Sequence, residues 1–213
     1  MSLLTPLGSL PYPQSTDAAN VPLHIQSLAE AVDGRTVLRF ADAATRDAKV
    51  TAPVAGMLVW LTTPGRLHYY TGSYWALVAP GPAHKANAAT GTTLSTAYVE
   101  TLTGSTGDPT AVTFTAPPGG SVLVTVGARI SGNTTSASLM SANIRQGTTV
   151  TLAAADTRAA IVTGTNQASV SSQFQVTGLT ANGIYTATAA YKSAAATNTA
   201  TFIYRFVTVT PMM

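Results

Sequence analysis

The chain contains no cysteine. Disulfides and thiolate metal ligands are therefore excluded, and rigidity has to come from packing or from association between chains. Charge is also scarce. Asp, Glu, Lys and Arg make up 9% of the 213 residues, against about 25% in an average soluble domain. The formal charge is +3, but the cations are scattered singly. A nucleic-acid footprint needs clustered cations that displace counterions from phosphates, so nucleic acid is not an expected partner. No apolar run reaches the ~18 residues of a membrane-spanning helix, and no membrane insertion is expected. Residues 1–10 lack a basic start and an apolar core, so no secretory signal is expected. A chain without one can still act outside a cell if it leaves as part of a particle.

Catalytic groups are thin as well. The three histidines, His24, His68 and His84, are far apart, and neither H-x-H nor H-E-x-x-H spacing occurs, so no metal site is expected. Only Glu100, Asp108 and Asp156 supply carboxylates beyond residue 80, while glycoside hydrolysis needs two that face each other. Glu100, in an expected strand, is the candidate acid; the competing reading is a solvated strand face. Nucleophile-elbow, phosphate-loop and dinucleotide signatures are absent. The expectation is a non-enzymatic chain with no cofactor.

What fills the sequence is Ala, Thr, Ser, Gly and Val, a composition that favours strands separated by turns. One amphipathic helix stands out, at about 20–33. Pro11 and Pro13 keep its lead-in extended. Asp17 and Asn20 are N-cap-type residues, Pro22 falls in the first turn, and Gly34 offers a left-handed C′ position. Val21, Ile25, Leu28 and Val32 recur at spacings of four, three and four. That spacing forms a narrow apolar seam. A helix of about 13 residues, roughly 20 Å long, is marginal alone in water. The seam packs either on its own chain or on copies of itself around a symmetry axis, and it is the candidate oligomer interface.

A second short helix is expected over 41–50, with Asp42 and Arg46 paired four residues apart. A three-stranded meander follows at 57–63, 66–71 and 74–78, with turns at Pro64-Gly65 and Gly72-Ser73. It holds Trp60, Tyr69, Tyr70, Tyr74 and Trp75. Trp60, Tyr69 and Tyr74 are candidate glycan-stacking residues; the alternative is that all five aromatics form the module's core. Strands are then expected near 97–103, 110–116, 121–131, 137–146, 149–153, 158–163, 168–178, 184–191 and 199–209. Many short strands with turn chemistry between them predict an antiparallel β-sandwich of jelly-roll-like type.

The expected organisation is thus mainly β. An arm with an attachment helix occupies 1–40, a small helix plus meander 41–80, a linker 81–92, and the sandwich 93–213.

The opening LPYPQSTDAANVP, followed by Ile25, Leu28-Ala29-Glu30 and Val32-Asp33, resembles the N-terminal segment of small tail-associated proteins of phages that infect actinobacteria. The block from Thr45 to Val78 is similar to the module that follows in those proteins, with Arg46-Asp47-Ala48, a P-x-x-G turn, and Tyr70-x-Gly72-x-x-Trp75 in place. The resemblance covers roughly residues 10–80. It implies a virion protein, expected as a homotrimer. The N-terminal end would meet other tail proteins and the C-terminal head would turn outward, toward host cell-wall glycan. The turns near Asn133, Gly164–Gln167 and Ala194–Asn198 are the expected contact loops. Competing readings are a capsid decoration or head fibre, a fibre of a contractile injection system, and, in another class, a cell-wall depolymerase.

Overall fold

The computed structural model describes residues 3–4, 10–12, 20–32, 35–78 and 80–212. Most of the expected arm, including Pro13 and the Asp17 cap, and the Gly34 C′ position lie outside the described residues. Among the described residues the chain is mainly β, with two α-helices. It divides into two compact units, Met1–Ala79 and Pro80–Met213.

In the first unit, β1 (Leu3–Leu4) and β2 (Pro11–Tyr12) pair antiparallel. Helix α1 (Val21–Val32) starts where the sequence places it. Asn20 is the cap: its Oδ1 accepts from Leu23 N at 3.1 Å and its carbonyl from His24 N at 3.1 Å. The side-chain contact satisfies one of the free amides of the first turn, and the carbonyl accepts the first intrahelical bond. Beyond the helix, β3 (Leu38–Phe40), β4 (Leu58–Leu61), β5 (Arg66–Tyr70) and β6 (Trp75–Leu77) form one sheet in that order. The meander is as expected. The parallel addition of β3 beside β4 was not, and it carries a sheet across the boundary drawn at residue 40.

Helix α2 (Ala43–Lys49) lies between β3 and β4. The expected Asp42–Arg46 pair does not form. Asp42 is the N-cap, with Oδ1 accepting from Thr45 N at 2.7 Å, and that hydrogen bond holds its carboxyl below the usual range. Arg46 is buried and turns to the sheet instead.

The second unit is a two-layer sandwich. One sheet runs β14 (Ala168–Val176), β10 (Ser121–Ser131), β16 (Ala200–Met212), with β7 (Ala83–Asn87) and β8 (Gly91–Thr93) in line along the far side of β16. The other runs β11 (Ala137–Gln146), β15 (Ile184–Ser193), β9 (Ala111–Thr115), with β12 (Thr149–Leu152) and β13 (Ala160–Thr163) in line along the outer side of β11. Each sheet therefore has one edge split into two short strands, which leaves little continuous backbone for another chain to pair with.

The stretch expected as a linker, 81–92, is thus the start of the sandwich. Strand β7 has little apolar alternation because its three middle residues are all exposed, whichever face they are on. Conversely, the strand expected at 97–103 reduces to single bridges, Thr103 to Thr92 of β8 and Val99 to Tyr191 of β15. The chain there crosses from one sheet's edge to the other's instead of running along either.

The core lies between the layers. Val122, Val124, Val126 and Ile130 of β10 face Met140, Ala142 and Ile144 of β11, closed by Tyr191, Phe202, Val207 and Val209. Each fully buried branched or aromatic side chain here is worth about 1.5–3 kcal/mol relative to exposure. The alternation of β10 gives this directly, because successive side chains point to opposite faces.

Candidate functional site

Three surfaces carry the residues singled out from the sequence. The first is α1. None of its residues is buried. Val21 is 63% exposed, Ile25 62% and Leu28 43%, with Leu23 also exposed and Val32 half-buried. The stripe that its own chain half-covers is the neighbouring one, His24, Ser27 and Ala31. Three of the four seam residues, Val21, Ile25 and Leu28, are therefore left open by the single chain.

The second surface is the meander. Trp60 pairs with Leu67 and Leu58 with Tyr69 across β4 and β5, so Trp60 and Tyr69 share one sheet face. Trp60 is 39% exposed there. Tyr70 and Trp75 pair on the opposite face, their rings 5.2 Å apart, and the Arg46 guanidinium of α2 lies 4.7 Å above Trp75. That face is the module's core. Tyr74 closes the turn after β5, where its carbonyl accepts from Thr71 N at 2.9 Å and Thr71 Oγ1 at 3.0 Å. Of the three candidate stacking residues, Trp60 and Tyr69 lie on one sheet face and Tyr74 lies in the turn. Arg46 was the functional packing partner that the sequence did not reveal.

The third surface is one end of the sandwich, where the expected contact turns meet. Asn198 is fully buried. Its Oδ1 accepts from Asn133 N at 3.1 Å, Thr134 N at 3.2 Å and Thr134 Oγ1 at 3.0 Å. Its Nδ2 donates to Ser193 Oγ at 3.0 Å, Ser138 Oγ at 3.3 Å and Ala137 O at 3.4 Å. Gly132 N donates to Gly164 O at 3.0 Å, and Thr199 N to Asn133 Oδ1 at 2.7 Å. Three loops far apart in sequence are stitched into one polar rim around a single amide.

The carboxylates of this unit are all engaged. Glu100 accepts from Arg145 Nη1 and Asn143 Nδ2. Asp108 is paired with Arg205, and Asp156 with Lys192 at 2.8 Å. Among the described residues no group of three or more His, Cys, Asp or Glu is placed to hold a metal ion.

No protein-family model and no curated protein sequence matches this chain. Among solved structures it is similar to Eiger TNF from S. frugiperda, at 11% identity and TM-score 0.39, over 62% of this chain and 92% of that one. It is also similar to the tripod (BppUct-A-L) from the baseplate of bacteriophage Tuc2009, at 13% identity and TM-score 0.31, over 94% of this chain and 98% of that one.

Proposed function

We propose that this chain is a non-enzymatic structural protein of a phage tail, a fibre, baseplate appendage or receptor-binding component. In this reading it assembles as a homotrimer through α1, is held to the particle by its N-terminal unit, and contacts the host surface with its β-sandwich. The observation that carries the reading is the open seam of Val21, Ile25 and Leu28. A capped helix of three turns that buries none of its side chains needs a partner to be stable, and its apolar spacing fits a copy of itself. The resemblance of residues 10–80 to tail-associated proteins supplies the setting. The non-enzymatic reading is supported by the three sandwich carboxylates, each tied to a cation. Three copies of a weak binding surface raise avidity without new chemistry when they engage together.

The test is solution mass by light scattering. The intact protein is expected at three times its 21.8 kDa chain mass. Ile25→Asp combined with Leu28→Asp is expected to give a folded monomer, because two charges cannot be buried in an apolar seam. A wild-type monomer at micromolar concentration sinks the proposal.

A further inference from the structure

Strand β16 changes its facing in mid-strand. Ala200 and Phe202 point into the core, and so do Arg205, Val207 and Val209, two residues of the same parity followed by three of the other. The change occurs at a bulge. Between the pairs Arg129–Ile203 and Gly127–Phe206, Tyr204 and Arg205 together oppose Ala128. The extra residue aims Arg205 inward and leaves Tyr204 outside, 62% exposed, with φ of 51°. That left-handed backbone is free for glycine but strained for other L-residues. A bulge of this kind is satisfied by glycine. The fold thus carries a tyrosine at a conformational cost, in a place where its side chain packs into no core.

Beside it, Phe206 lies against the backbone of Gly127: a Cβ on Gly127 would come within 2.5 Å of Phe206 Cε1. Tyr204 and Phe206 line one side of a 280 Å³ groove on the outer face of the sheet, and Arg129, Ser169 and Ser171 are among its other lining residues. The volume lies near the lower limit of small-molecule sites, which start at about 300 Å³, so it suits one ring-sized group. Ser169 and Ser171 are exposed, as is Arg129. The three acids of the sandwich unit are taken by Arg145, Arg205 and Lys192, and Arg129 makes no ion pair among the described residues.

We propose that this groove binds a pyranose ring bearing an anionic group, a carboxylate or a phosphate. Aromatic faces receive the apolar face of the ring, the serine hydroxyls receive its polar edge, and the free guanidinium receives the anion through a charge-assisted hydrogen bond. The site belongs to the sandwich alone and does not rest on the trimer reading.

The test uses the full chain with three probes, glucuronic acid, glucose 1-phosphate and glucose, followed by saturation-transfer NMR and calorimetry. At least one anionic sugar is expected to bind about tenfold tighter than glucose; binding of only one of the two identifies the anion as carboxylate or phosphate. Arg129→Gln is expected to erase the preference, and added salt to weaken the anionic sugars only. Tyr204→Gly is expected to keep or raise the unfolding midpoint while losing about tenfold in affinity. Equal affinity for all three sugars, no transfer to any of them, or unchanged binding in the Tyr204→Gly protein overturns the proposal. A lower midpoint for Tyr204→Gly does so too, since it makes the tyrosine a structural residue.

Discussion

Arg205 Nη1 lies 2.9 Å from both carboxylate oxygens of Asp108, 97 residues earlier in the chain. The arginine side chain is 0% exposed and the aspartate 5%. Around them Arg205 Nη2 donates to Ser105 Oγ at 2.6 Å and Ala89 O at 3.0 Å, while Asp108 accepts from Leu102 N at 3.1 Å and Thr110 Oγ1 at 3.2 Å. The pair pins the 89–110 segment to β16. Removing one partner of a buried pair leaves the other charge unpaired, which costs about 3–5 kcal/mol, whereas replacing both by apolar groups is often close to neutral. Asp108→Ala is expected to lose about that much in urea unfolding. Asp108→Leu with Arg205→Met is expected to lose distinctly less. A double variant as unstable as Asp108→Ala would show that the hydrogen bonds, not the charges, carry the stability.

A second relationship, around Tyr98, predicts how stability changes at alkaline pH. Tyr98 OH donates to Asp156 Oδ1 at 3.0 Å, and Lys192 Nζ sits 5.5 Å from the Tyr98 ring. Burial, then the hydrogen bond to Asp156, push the Tyr98 phenol well above its ordinary value of 10.0. Burial pushes Tyr191 the same way. Folded phenols hold their protons more tightly than unfolded ones, so their contribution is complete below pH 10 and is lost as pH rises through the folded values. Asp156 has the opposite sign. Its hydrogen bond from Lys192 lowers it, so its contribution is present above the ordinary carboxylate value and lost as pH falls through the lowered one. Urea midpoints are expected to form a plateau with an alkaline fall beginning near pH 10. Phenolate absorbance is expected to show Asp156→Asn bringing the Tyr98 titration down while leaving it above a free tyrosine.

How much of this was legible follows from where the determining contacts lie. Asn20, Pro22 and the Val21–Val32 spacing encode α1 locally, and Pro64-Gly65 and Gly72-Ser73 encode the meander. Val122, Val124 and Val126 encode β10 by alternation. The edge strands β7 and β8 were not legible: Ala83–Asn87 has no apolar alternation, and its partner is β16 near the other end of the chain. The inward turn of Arg205 was hidden for a related reason. A bulge shifts strand parity by one residue, and nothing in Ile203-Tyr204-Arg205-Phe206 announces it. The contact turns were each legible as turns, but their meeting at Asn198 depends on closures of 60 residues and more.

The amide of Asn198 makes a sharp test of the loop rim. Asn198→Ala removes six hydrogen bonds and takes the side-chain acceptor away from Asn133 N and Thr134 N. Leaving buried polar groups unpaired costs about 1–3 kcal/mol each where water cannot enter. A loss of about 2–3 kcal/mol is expected, since the loops relax toward solvent. Amide exchange at Asn133, Thr134 and Thr199 is expected to accelerate while Val124 and Val126 stay protected. Gly132→Ala should give the same pattern, because its Cβ would lie 2.5 Å from Asn198 Oδ1.

In the N-terminal unit the corresponding test is Arg46. Its side chain is 8% exposed, and its Nε donates to Asp47 Oδ1 at 2.8 Å, an aspartate too exposed for that contact to fix the burial. What holds the guanidinium against the sheet is the Trp75 face, 4.7 Å away. Arg46→Met keeps the stem and removes the cation. The expected loss is about 0.5–2 kcal/mol, the range between an exposed and a desolvated cation–π contact. Arg46→Lys is expected to recover little of it, because an ammonium is compact and strongly hydrated where the guanidinium is planar and stacks. The chain has two tryptophans, so a Trp60→Phe background leaves Trp75 emission as the sole reporter. That emission is expected to shift on Arg46→Met and to mark an earlier unfolding of this unit, with amide exchange in the β10 core unchanged. An equal loss of protection in β10 would mean that the two units unfold as one.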